Sequence, residues 1–122
     1  MSMTPVDKIA VSLPAQASAL LTQIAARMFD HLVTGDQVMQ LTTEAFEAWR
    51  MIREYAHLYG NHGIVVLEIE EESRLVDALK LAHRVFHRYE FPIRIPGACH
   101  CELAVKMRAV APLITRAGLE GW

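Results

Sequence analysis

Five residues between positions 83 and 101 could do chemistry together: His83 and His87, then Cys99, His100 and Cys101. Imidazole and thiolate are the side chains that hold borderline-soft transition metals such as zinc. Histidines four apart on a helix stack on one face, the spacing that chelates a single ion. Cys-His-Cys in the following turn offers two more donors. One geometric condition governs the set: if the last helix has begun by residue 99, its two sulfurs point about 160° apart and cannot share an ion. Under that condition His83 and His87 are border residues between an apolar stripe and a basic face, and Cys99 is a buried thiol. None of the familiar paired Cys-x-x-Cys spacings is present. The set His83, His87, Cys99 and Cys101 is therefore an alternative expectation, and no cofactor is assigned.

Other constellations are weaker. Lys80, Arg84 and Arg88 recur at i, i+4 and i+8 and form a basic stripe that could grip an anion or an acidic partner. Asp77 interrupts it, as on an ordinary solvated face. Glu54 and His57 make a single Glu-x-x-His pair, but they fall away from the Trp49/Ile52 stripe and would ligate into water. The sequence has no nucleophile elbow, phosphate-binding glycine loop or His-Glu-x-x-His, so it gives no positive sign of catalysis.

These residues must be positioned by a chain of 122 residues, the size of one domain spanning 1–122. At 52% hydrophobic and 21% charged it can bury a core without staples. Residues 8–13 alternate apolar with polar or small and read as a short strand. Pro14 suits the first turn of a helix to about Val33, with Leu20, Leu21, Ile24, Ala25, Met28 and Leu32 on one stripe. A second helix over about 37–59 gathers Leu41, Ala45, Trp49, Ile52, Ala56 and Tyr59, with Gly60 as its terminator. Ile64 to Ile69 is a β-branched apolar run and reads as a buried strand. Glu70, Glu71 and Glu72 complement the dipole at the start of a third helix to about Tyr89, on which Leu75, Leu79, Ala82 and Phe86 align. Residues 91–96 read as an edge strand, and a last helix from about Ala98 carries Leu103, Met107, Val110 and Ile114, with Pro112 bending it. The predicted fold is α+β, in the order β-α-α-β-α-β-α with a small sheet, the segment 64–95 having the proportions of a βαβ crossover.

The second helix also carries apolar side chains on its back: Met51, Tyr55 and Leu58. A helix apolar over more than half its circumference is either sandwiched or faces another subunit. Residues 1–79 hold 5 basic and 11 acidic side chains and residues 80–122 hold 7 and 3, a charge polarity that a partner could use for orientation. The leading expectation is a small, non-catalytic binding or regulatory protein that acts through protein–protein contacts. It would be homo-oligomeric through Met51, Tyr55 and Leu58. With no secretory signal, no stretch long enough for a membrane span, and two cysteines too close for a relaxed disulfide, a cytoplasmic protein with free thiols is expected.

One local stretch is similar to a known family. Lys8-Ile-Ala-Val-Ser-Leu-Pro-Ala-Gln before a helix, with Thr42-Thr43-Glu44-Ala45-Phe46-Glu47-Ala48-Trp49-Arg50 opening a second, resembles the ribbon-helix-helix DNA-binding regulators over 8–59. The resemblance implies paired strands in the major groove, with Lys8, Ala10 and Ser12 facing the bases and Thr42 and Thr43 at a phosphate. Residues 27–41 make a longer first helix and connection than that family uses, and the acidic first 79 residues oppose a polyanion. Duplex DNA is thus the alternative partner, behind a protein.

Overall fold

The computed structural model describes residues 5–34, 43–62, 66–87 and 95–116. They form four helices: α1 (Pro5–Thr34), α2 (Thr43–His62), α3 (Ile69–Phe86) and α4 (Glu102–Ile114). Among the described residues every regular element is a helix and there is no strand, which corrects the predicted α+β order.

Each misread segment has a physical explanation. Residues 8–13 lie inside α1, which begins at Pro5 and carries Pro14 in its interior. Six residues are too few to separate a period of 2 from one of 3.6: Ile9 and Leu13 also satisfy the helical i, i+4 spacing. The strand from which a ribbon-helix-helix protein reads bases is thus helix here.

Of the run expected as a strand over 64–69, Val66 to Glu68 is an irregular connection and Ile69 already belongs to α3. Val66 and Ile69 are exposed at 80% and 71%, and only Leu67 is buried. The helix starts here because Glu68 and Glu71 cap it. The Glu68 N–H donates to Glu71 Oε1 at 3.1 Å, and the Glu68 carbonyl accepts from the Glu72 N–H at 2.9 Å. The Glu71 carboxyl is held below its usual range by that Glu68 N–H and next by the Tyr55 hydroxyl. The third expected strand, 91–96, lies outside the described residues except for Ile95 and Pro96, which open a turn. Without a pair of strands, the crossover over 64–95 is absent among the described residues as well.

The four expected helices are present, and their stripes make the core. Leu21, Ile24 and Met28 of α1, Ala45, Ile52 and Ala56 of α2, Leu75, Leu79 and Ala82 of α3, and Leu103, Met107, Val110 and Ile114 of α4 are all buried in one cluster. α1 packs on each of the other three and α3 packs on α2 and α4, whereas the backbones of α2 and α4 do not approach closely among the described residues. α1 and α2 run antiparallel, pairing Ser18 with Ala56 at one end and stacking Phe29 and Trp49 5.2 Å apart at the other. α3 and α4 are also antiparallel. Arg116, just after α4, donates to the Leu67 carbonyl at 2.8 Å beside the start of α3, while the opposite ends of the two helices meet around His83 and Cys101. None of these helices is long and apolar enough to cross a membrane, among the described residues.

Gly60 sits inside α2, where alanine ordinarily gains about 1 kcal/mol of helix propensity. Here a Cβ would come within 2.9 Å of Ser18 Oγ, a hydroxyl already committed to the Ala56 carbonyl at 2.7 Å. Gly60→Ala is therefore expected to destabilise the chain by about 1 kcal/mol, and adding Ser18→Ala should recover that loss. Urea denaturation of the single and double variants checks this; a stabilised Gly60→Ala protein contradicts it.

Candidate metal centre

His83, His87, Cys99 and Cys101 converge. One donor atom from each lies within 4.8 Å of all the others. His83 Nε2 is 3.4 Å from Cys101 Sγ, and His87 Nε2 is 3.4 Å from Cys99 Sγ. The two imidazoles meet edge to face at 4.5 Å, as one turn of helix stacks them. His83 is fully buried, Cys99 is 6% exposed, and His87 and Cys101 are half-buried. The two cysteines are not joined in a disulfide.

The geometric obstacle foreseen in the sequence does not arise, because α4 starts three residues later than it must for the sulfurs to diverge. Cys101 is the N-cap of α4, its own backbone extended at φ −68° and ψ 162°, so the helix begins only at Glu102. Residues 99–101 thus lie outside the helix, and each sulfur comes within 3.4 Å of a histidine Nε2 on the α3 side. His100, between them, faces solvent instead.

The local sequence makes the turn. The N–H groups of Ala98 and Cys99 both donate to the Ile95 carbonyl at 3.1 Å. Two further N–H groups point at sulfur: Cys101 N–H to Cys99 Sγ at 3.5 Å, and Ala104 N–H to Cys101 Sγ at 3.3 Å. Amide hydrogens aimed at sulfur, at a helix N-terminus, favour thiolates over thiols. Burial acts the other way. It pushes the Cys101 thiol up, the Ala104 N–H partly opposes this, and the neighbouring Cys99 adds to it. A cation among the four donors would resolve that opposition.

The donor types suit a single four-coordinate ion, and two of the six donor separations can be compared with one. Zinc–nitrogen and zinc–sulfur bonds of about 2.0 and 2.3 Å at tetrahedral angles place N and S about 3.5 Å apart. The two N···S separations are both 3.4 Å. Two thiolates and two imidazoles suit zinc, whereas a binuclear iron–sulfur cluster spreads its ligands over two irons and needs a wider set.

α1 also reaches the rim. Arg27 pairs with Glu102, the first residue of α4, at 2.6 Å, and its guanidinium lies 5.8 Å from the centre of the Phe86 ring at the end of α3. Neither Arg27 nor Arg108, which grips the turn before Cys101, stands out in the sequence. The one available signal is that Arg108 follows Cys101 by seven residues and so shares its helix face.

The other expected site residues are not among these four donors. Met51, Tyr55 and Leu58 are half-buried, with Met51 and Tyr55 packed against the core. The Tyr55 hydroxyl donates to Glu71 Oε2 at 3.0 Å, and its ionisation is pushed up, first by burial and then by that carboxylate. Glu54 and His57 are exposed and line a surface depression with Glu47, Arg50, Met51 and Arg53. Lys80 is half-buried and Arg84 exposed, and Arg88 lies outside the described residues. Lys8 and Ser12 fall within α1, Thr43 is the exposed first residue of α2, and Thr42 lies outside the described residues. Comparison with known proteins adds no further constraint: no family model, curated protein or solved structure matches this chain.

Proposed function

We propose that the chain is a transition-metal-binding protein whose His83, His87, Cys99 and Cys101 hold one zinc ion. The observation that carries this reading is the convergence of four donor atoms within 4.8 Å from two separate elements, on the buried side of an α3–α4 junction. Four protein ligands leave no position for substrate, which is the pattern of a structural site rather than a catalytic one. The ion would fasten the end of α3 to the start of α4, the end of that helix pair opposite the Arg116–Leu67 contact.

Native mass spectrometry after zinc titration is expected to show one ion per chain. Cobalt substitution should give thiolate charge-transfer bands together with the visible absorption of a four-coordinate ion. Cys101→Ser should weaken both. If the protein takes up no ion at micromolar zinc and its cysteines alkylate at the rate of exposed thiols, the reading is wrong. The two Cys–His contacts would then be thiol–imidazole hydrogen bonds.

A further inference from the structure

The turn that carries Cys99 has a support outside the four donors. Arg108 lies on α4, half-buried, and its Nη1 donates to the Pro96 carbonyl at 2.7 Å and also to the carbonyl of Cys99. Those two acceptors sit in one turn. Its other fastening is the Ile95 carbonyl, which accepts from Ala98 and Cys99. One cation on the helix that Cys101 caps therefore holds the backbone on both sides of Gly97 and Ala98, and one of the carbonyls it holds belongs to a donor residue. Pro96 is buried, so its carbonyl has little recourse to water once the guanidinium is gone.

We propose that Arg108 is the positioning residue of this centre: it fixes the turn from Ile95 to Cys101 before an ion arrives, so that both sulfurs already face His83 and His87. This rests on the metal-binding reading above. Hydrogen bonds that orient metal ligands typically contribute about 10- to 100-fold in affinity. The same saving arises whenever a binding loop is ordered in advance.

The test is competition between the full-length chain and a chromophoric chelator for zinc, with cobalt absorption as a second readout. Arg108→Met is expected to bind one ion, with the thiolate charge-transfer bands retained, at about 10- to 100-fold lower affinity. Arg108→Gln keeps one amide donor for a single carbonyl and should fall between wild type and Arg108→Met. If Arg108→Met does not fold, Arg108→Gln decides: a loss of about fivefold or more supports the role, and wild-type affinity overturns it. A purely structural contribution would lower the melting temperatures of the metal-free and metal-loaded forms equally and leave affinity unchanged. That outcome overturns the proposal while the metal reading stands. A wild-type chain that binds no ion overturns both.

Discussion

If the four donors hold zinc as proposed, chelating it at pH 8 is expected to lower the melting temperature of this protein by about 15 °C. A ligand that binds only the folded state stabilises it by about 4 kcal/mol when present at a thousand times its dissociation constant. In a domain of this size each kcal/mol moves the transition by about 4 °C. The junction is otherwise held by the Arg108 contacts to the turn and by the buried side chains of α4. The Arg27–Glu102 pair beside it is roughly half-exposed on both partners, and such pairs contribute little. The effect should also depend on pH with a definite sign. Each sulfur binds as thiolate and gives up a proton to do so, so protons compete with the ion as pH falls. Two displaced protons correspond to about 100-fold in apparent affinity per pH unit. The gap between metal-loaded and chelated melting curves should therefore be wide at pH 8 and close by about pH 6. Scanning calorimetry at both pH values, with and without chelator, measures it directly. Identical curves at pH 8 would remove the structural role for the ion.

Leu103→Ala is expected to cost about 3 kcal/mol and about 10 °C, whereas Val105→Ala on the same helix should stay within about 0.5 kcal/mol. Leu103 is wholly buried, next to the turn that caps α4, and Val105 is 52% exposed. Truncating the first leaves a cavity in a core drawn from all four helices, and truncating the second removes a side chain already half in water. The difference should appear as a lower urea midpoint at unchanged slope for Leu103→Ala alone. Equal losses at the two positions would mean that α4 is rotated from the orientation described above.

The metal-binding expectation, secondary in the sequence, became the leading one through a single local conformation. Spacing alone aligns His83 with His87, because helix geometry stacks residues four apart wherever the helix is placed. Cys99 and Cys101 are different. Two residues apart, they diverge in a helix and align in extended chain, and which applies depends on where α4 begins. Arg108 was not legible as a partner of the turn, because its two acceptors are backbone carbonyls and carry no sequence signature.

The sequence by itself determined the four helices and most of their buried faces. Apolar side chains recurring at 3.6-residue intervals over many turns admit one reading, and Leu21, Ile52, Leu79 and Met107 are buried where that period places them. Tertiary structure decided the rest. Short apolar runs such as Ile9 to Leu13 and Val66 to Ile69 are compatible with strand, helix or connection, and only the presence or absence of a neighbouring strand to receive their hydrogen bonds selects among these. Packing α4 antiparallel on α3 then brought a cysteine turn against a histidine pair. That meeting is a contact between elements, and periodicity within one element carries no information about it.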